Sequence, residues 1–203
     1  MAISKDNTWL EQITLSLQQT LGEPPSATLA PGTSPEAMPA LVKKASAQTA
    51  SISATLALPG GLTGVLTLVP EIYSIWRIQA QLISNIAYIN GKATLVSREQ
   101  MLWCMFRQMG YGLVKEFVFQ RGSVFVVKKM QDQAFQKALQ KLGLAMLSKQ
   151  SVRFAGKIIP LLGSVSAGTL SYYDTRRTAQ RAIELYSSPM ISESYEESED
   201  WFV

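Results

Sequence analysis

The chain has 203 residues with 19 basic and 15 acidic side chains, a net charge of +4, and 47% hydrophobic residues. This length is typical of one folded domain with additional segments at its ends. The absence of histidine removes the commonest metal ligand and general base, and a single cysteine excludes an intrachain disulfide. Cys104 lies in an apolar run and is expected to be a buried thiol. Since a phosphate-binding loop and a nucleophile–base set are also missing, the sequence predicts no cofactor and no enzymatic activity.

The first 39 residues divide into a helix and a linker. Trp9, Ile13 and Leu17 recur every four residues, which predicts an amphipathic helix in residues 1–21. Five prolines and two glycines follow in residues 22–39, a composition that forbids a regular helix. We therefore expect the helix to be an appendage tethered by this linker. The N terminus lacks the apolar core of a secretory signal, so a cytoplasmic location is expected.

Residues 45–70 contain no ionisable side chain and are rich in alanine, serine, threonine and glycine. Gly60 and Gly64 lie four residues apart, a spacing that lets a neighbouring helix approach closely. A Pro-Gly-Gly sequence interrupts the stretch, so it is not expected to span a membrane. From Pro70 onward an apolar stripe predicts a helix that stops at Gly91.

Basic residues dominate the next part of the chain, with 12 basic and three acidic side chains in residues 92–157. Ser97 is expected to cap a helix that runs to Gly110. Residues 111–127 include segments of strand propensity, but helical patterns flank them, so a helix or an irregular turn is predicted there. Residues 128–150 are predicted to form an amphipathic helix with one basic side. The lysines of that side are Lys128, Lys129, Lys137, Lys141 and Lys149.

A second uncharged stretch covers residues 158–173, and it again has small residues at fourfold spacing. These helix-packing candidates are Gly163, Ala167 and Gly168. Two helices are predicted in this part, over residues 152–163 and 164–186. We expect the two uncharged stretches to form close-packed helical hairpins. They could lie in a membrane interface or form a soluble core attached to a membrane surface.

Residues 188–203 form an acidic tail with five carboxylates, no basic side chain and a C-terminal Trp-Phe-Val sequence. Such a segment is expected to be disordered. Three uses remain open for it. It could keep the protein in solution, anchor a protein partner through its aromatic end, or cover the basic face of the domain.

Three charged residues next to the uncharged stretches are candidates for a buried ion pair. Glu71 begins the predicted helix after Pro70, and Arg176 and Arg177 follow the second stretch. If the two stretches meet, Glu71 would face one of these arginines. Glu71 could also face Asp174 as a pair of carboxylates, in which the like charges would raise one pKa and create a proton donor. The third possibility is a Glu71 carboxylate that stabilises a helix start through the helix dipole, with Asp174 and both arginines in solvent.

Several segments resemble the EcsC family in having a Pro-Gly-rich lead-in, a proline-led helix with an Ile-Ala-x-x-x-Gly exit, and a Pro-x-x-Gly turn before a helix with paired basic residues. They are Leu58-Pro59-Gly60-Gly61-Leu62-Thr63-Gly64, Val69-Pro70-Glu71, residues 78–91, residues 157–164 and Thr175-Arg176-Arg177. The resemblance covers residues 40–187. Members of that family are bacterial, helical and mostly uncharacterised, and the founding member is encoded with an ABC transporter. The resemblance therefore implies a helical architecture and a membrane connection rather than an activity.

These patterns predict an all-α helical bundle over residues 40–187. The expected function is that of a non-enzymatic, membrane-associated accessory protein whose five lysines contact an anionic membrane surface or a membrane protein. A soluble helical adaptor that binds a protein without lipid contact is the alternative. Aromatic residues interleave with the basic ones, as in proteins that stack bases, but no DNA- or RNA-binding signature appears. Nucleic acid is therefore not an expected partner.

Overall fold

Helices account for most of the structure, a computed structural model that describes residues 3–56, 68–107, 117–154 and 160–193. The described residues form six α-helices and one three-stranded sheet. The helices are α1 (Ile3–Leu21), α2 (Met38–Leu56), α3 (Leu68–Ile89), α4 (Arg98–Phe106), α5 (Asp132–Phe154) and α6 (Pro160–Ser187). The strands are β1 (Val118–Arg121), β2 (Val124–Lys128) and β3 (Met190–Glu193). Two short 3₁₀ turns, Pro35–Ala37 and Ala93–Leu95, precede α2 and α4.

Local sequence signals explain several helix boundaries. Ser97 caps α4 as predicted, because its hydroxyl accepts the N–H of Gln100 while the Gln100 side chain accepts the N–H of Ser97. Gly91 follows the end of α3 with a φ of 70°, a conformation that favours glycine. Pro160 is the first residue of α6, where a missing N–H costs nothing.

The N-terminal helix is part of the hydrophobic core. Ile13, Leu17 and Leu21 of α1 are at most 1% exposed and belong to the same core as the other helices. Gly143 of α5 lies against α1, where an added Cβ would stand 2.9 Å from Leu10 Cδ1. The predicted helix is confirmed, but the expectation of a tethered appendage is wrong. The apolar stripe of α1 packs against α3 and α5, because burial of apolar side chains is favourable where another apolar surface is within reach.

The proline-rich segment after α1 is fastened along α3. The Thr28 N–H donates to Asn85 Oδ1 at 2.8 Å, and Gln81 Nε2 donates to the Ser26 carbonyl at 2.8 Å. Prolines keep this segment extended, so its backbone groups find partners on side chains instead of in a helix. The segment therefore acts as a pinned connector between α1 and α2.

The sheet corrects the prediction for residues 117–127. β1 and β2 form an antiparallel hairpin with Val118 opposite Val127, and Gly122 turns with a φ of 64°. β3 pairs parallel to β2, with Phe125 beside Met190. Residues 190–193 of the acidic tail therefore form a strand, which corrects the expectation that residues 188–203 are disordered, and residues 194–203 lie outside the described residues. Phe125 packs edge-on against Trp103 of α4, with the ring centroids 5.3 Å apart. Because this apolar inner face is covered by α4, the strand propensity prevails, and the all-α expectation holds only for the helical majority.

Two helix boundaries also differ from the predicted ones. α5 begins at Asp132 rather than at Lys128, because Lys128 is the last residue of β2. α6 is one continuous helix from Pro160 to Ser187, without the predicted break after residue 163. Glycine and serine at that point are tolerated within a helix, and they do not end it.

Candidate functional site

Helices α2 and α6 run antiparallel and lie very close together. The hydroxyls of Thr49 and Thr175 are 2.8 Å apart. Further along, Gly168 lies against α2, where a Cβ would stand 3.0 Å from the Ala50 carbonyl oxygen and 3.3 Å from Ala54 Cβ. Residues later in α2 therefore face residues earlier in α6. The C-terminal end of α2 lies beside the N-terminal end of α6.

Helices α3 and α6 run parallel. Gln79 Nε2 donates to the Thr175 hydroxyl at 3.2 Å and to Asp174 Oδ2 at 3.1 Å. About three turns further along both helices, the Lys92 amine just after α3 donates to the Ser188 carbonyl just after α6. The starts of α3 and α6 therefore lie at the same end of the bundle as the end of α2.

This juxtaposition brings the two uncharged stretches together. Residues 45–56 of α2, 68–70 of α3 and 160–173 of α6 contain no lysine, arginine, aspartate or glutamate. We call these residues the uncharged end. The connecting residues of the two expected hairpins lie outside the described residues, and the described parts of the two stretches meet as three neighbouring helix ends.

Two exposed apolar side chains lie in the uncharged end, and three arginines border it. On α6, Leu170 is 56% and Tyr173 58% exposed, and Arg177 continues the same helix face. Arg176 is also exposed. On α3, at the level of Tyr173, the exposed Arg77 lies 5.8 Å from the centre of the Tyr73 ring. We call Arg77, Arg176 and Arg177 the arginine rim.

The structure does not join the predicted ion pair. Glu71 is 8% exposed in the first turns of α3, whereas Arg176 and Arg177 are exposed on α6. The ion pairs recorded among the described residues do not include Glu71 with either arginine. The acidic position in the first turn of α3 suits the helix dipole, as the third possibility expected.

Buried hydroxyls form a line between α2 and α6, which we call the hydroxyl seam. The sequence patterns did not predict it. It consists of Ser46, Thr49 and Ser53 on α2 and Ser171, Thr175 and Thr178 on α6. Thr49 bonds Thr175 and also donates to the Ser46 carbonyl at 3.0 Å. Within the described residues, the Ser46 and Thr178 hydroxyls have no hydrogen-bond partner. The sequence contains a signal for this seam, because serine and threonine recur every three or four residues along both helices, as residues on one helix face do.

Of the predicted helix-packing residues, Gly168 lies at the crossing of α2 and α6, and Ala167 beside it is half-buried. Gly163 lies in the first turn of α6. Gly60 and Gly64 lie outside the described residues. The close approach at Gly168 explains why a small residue is needed there.

The predicted lysines do not share one helix. Lys128 ends β2 with its amine 5.8 Å from the centre of the Phe119 ring, and Lys129 is exposed just after it. Lys137 and Lys141 are exposed one turn apart on α5. Lys149 also lies in α5, but its side chain is outside the described part of the structure.

Three ionisable groups are buried where α4 meets α6. Arg181 donates to the Cys104 carbonyl at 2.9 Å, and burial lowers the pKa of this guanidinium. Burial also raises the pKa of the Cys104 thiol and that of Tyr186, whose hydroxyl donates to Gln100 Oε1 at 2.8 Å. Among the described residues no group of histidine, cysteine and carboxylate side chains is arranged to hold a metal ion.

Comparison with protein-family models, with curated proteins and with solved structures gave no match. The resemblance to the EcsC family therefore stays a prediction. In the described parts of the chain, no helix combines the length and the apolar character needed to cross a bilayer.

Proposed function

We propose that this protein is a non-enzymatic accessory protein that docks on anionic membranes through its uncharged end. The observation that carries the proposal is the meeting of three uncharged helix ends, which expose Leu170 and Tyr173 and are bordered by the arginine rim. The apolar side chains would enter the membrane interface, and the arginines would contact lipid phosphates.

The composition of the uncharged end supports a shallow contact. Ser51 and Thr55 are exposed on α2, and Thr169 is exposed on α6. Hydroxyl groups are tolerated among lipid headgroups and are costly in the hydrocarbon layer. Tyrosine at the boundary suits the headgroup level, because one end of its ring is apolar and the other is polar.

The soluble adaptor remains the second candidate, because the same surface has features of a helix-binding site. Leu170, Tyr173 and Arg177 lie three and four residues apart on one face of α6. Aromatic and arginine side chains of this kind are common anchors in protein interfaces. The two candidates differ in whether the protein binds lipid without another protein.

Sedimentation with vesicles of phosphatidylcholine alone, or mixed with phosphatidylserine, separates them. We expect the full chain to pellet with the anionic vesicles and high salt to weaken the binding. Leu170→Asp and the double variant Arg176→Gln/Arg177→Gln should each lower vesicle affinity. The double variant should lose roughly 30-fold, since each of the two cations near an anionic surface contributes about 1 kcal/mol.

Matched controls lie on α5. Leu144 is 53% exposed, close to the 56% of Leu170, and Lys137 and Lys141 are two exposed cations. Leu144→Asp and Lys137→Gln/Lys141→Gln should bind vesicles like the unmodified chain. Losses confined to these controls would place lipid contact on the lysines, as the sequence predicted. No sedimentation with either vesicle would reject the membrane proposal and favour the soluble adaptor.

A further inference from the structure

Cations on three helices lie at nearly one level along the bundle. Thr175 marks this level, because its hydroxyl contacts Thr49 of α2 and Gln79 of α3. We define height as the distance from Thr175 along the helix axis, at about 1.5 Å per residue, positive away from the uncharged end. The cations of α2 and α3 and the first two of α6 lie within about 12 Å of one another in height. We call them the cation belt, and they are Lys43, Lys44, Arg77, Arg176 and Arg177.

The heights of the belt cations follow from the helix directions. Because α2 runs antiparallel to α6, Lys44 lies on the far side of Thr49 from the uncharged end, at a height of about +7.5 Å. Arg176 and Arg177 of α6 lie at about +1.5 and +3 Å, and Arg77 of α3 lies at about −3 Å. Lysine and arginine side chains are long and flexible, so charged groups that start from these heights can reach a common plane.

Few carboxylates lie near the belt. Residues 43–56, 68–80 and 160–177 contain the five belt cations and only two carboxylates, Glu71 and Asp174. Glu71 is buried in the first turns of α3. Asp174 is exposed and accepts a hydrogen bond from a neighbouring glutamine of α3 at 3.1 Å. The belt therefore gives this level of the bundle a net positive charge, which attracts an anionic surface.

The belt cations are exposed and face different sides of the bundle. Arg176 and Arg177 are successive residues of α6, so they project about 100° apart, and the same holds for Lys43 and Lys44 of α2. None of the five belt side chains forms a hydrogen bond or an ion pair within the described part of the chain. A membrane along one side of the bundle would contact only part of this belt. A membrane across the uncharged end is within reach of all five cations at once.

We propose that the bundle docks end-on, with the cation belt at the level of the lipid phosphates, and that Lys43 and Lys44 are lipid-binding residues. This inference rests on the proposed function, and it adds the orientation and the contribution of α2. Tyr173, at a height of about −3 Å, then lies among the headgroups. Leu170, at about −7.5 Å, reaches the boundary of the hydrocarbon, because the headgroup layer of one leaflet is about 5–8 Å thick.

Sedimentation with phosphatidylserine vesicles tests the contribution of α2. We expect Lys43→Gln/Lys44→Gln to lower vesicle affinity roughly 30-fold, like the arginine double variant. Lys137→Gln/Lys141→Gln removes the same charge from α5 and should lower the affinity far less. Equal losses in the two lysine variants, or a loss in the arginine variant alone, would overturn the belt and leave the proposed function in place. No binding of the unmodified chain would overturn both.

Fluorescence quenching by lipids brominated in their acyl chains measures the orientation. Cys104 is buried, so a fluorescent label can be attached to a single added surface cysteine. We expect strong quenching at Leu170→Cys on α6 and at Thr55→Cys on α2, at heights of about −7.5 and −9 Å. Gln180→Cys, at about +7.5 Å on α6, should stay unquenched. Quenching at Leu170→Cys and Gln180→Cys but not at Thr55→Cys would show that the side of α6 lies on the membrane, and it would overturn end-on docking.

Discussion

At the scale of single residues, two buried acids predict how stability depends on pH. Burial raises the pKa of Cys104 above its ordinary value of 9.0 and that of Tyr186 above 10.0. The folded protein therefore keeps both protons at a pH where the unfolded chain releases them. Below pH 9 this difference has no effect. Above it, the free energy of unfolding should fall, by up to about 1.4 kcal/mol per pH unit for each group.

Urea denaturation at pH 8, 9, 10 and 11 will measure this decline. In Cys104→Ala the decline should begin nearer pH 10, because only Tyr186 then remains. A free energy of unfolding that stays constant from pH 8 to 11 would mean that neither group keeps its proton in the folded state.

Arg98 holds α4 to the start of α5 with its whole guanidinium group. Its Nε contacts Glu99 at 3.3 Å, Nη1 contacts Asp132 at 2.6 Å, and Nη2 donates to the Met130 carbonyl at 2.5 Å. The guanidinium also lies 4.6 Å from the centre of the Phe135 ring. A lysine cannot reproduce this planar fork of donors. We expect Arg98→Lys to lower the free energy of unfolding by about 2 kcal/mol.

The control for this prediction is Arg121→Lys, since Arg121 is exposed on the hairpin and contacts the Phe119 ring. It should change stability by less than about 0.5 kcal/mol. A double-mutant cycle of Arg98→Lys with Glu99→Gln should give a non-zero coupling energy, because the two side chains contact each other. Glu99 is buried and also accepts the Met130 N–H. Equal losses at Arg98 and Arg121 would contradict the special role of Arg98.

At the scale of the elements, the crossing of α2 and α6 depends on Gly168. A Cβ there would stand 3.0 Å from the backbone carbonyl of Ala50, so a branched side chain must push the two helices apart. We expect Gly168→Val to lower the free energy of unfolding by about 1–3 kcal/mol. Gln180→Val, on the exposed side of the same helix, controls for valine's helix propensity. Equal denaturation midpoints for Gly168→Val and Gln180→Val would show that α2 can move away from residue 168 without loss of stability.

The elements also show what the sequence can predict. Periodicity identified α1 and the helix after Pro70 because an apolar stripe is a local signal. It could not decide whether α1 stands apart, since a tethered helix and a core helix have the same stripe. The hairpin of β1 and β2 was missed because its short strands depend on α4, which covers their inner face. The parallel pairing of β3 was not predictable, since its partner lies more than 60 residues earlier in the chain.

At the scale of the whole molecule, the candidate site depends on helix directions. Both uncharged stretches are visible in the sequence, but their meeting at one end follows from the antiparallel α2–α6 pair and the parallel α3–α6 pair. Thr175 marks one level at which the three helices meet, because its hydroxyl contacts Thr49 of α2 and Gln79 of α3. A hydrogen bond contributes only about 0.5–1.5 kcal/mol net, so the close packing at Gly168 is also needed to stabilise the α2–α6 pair.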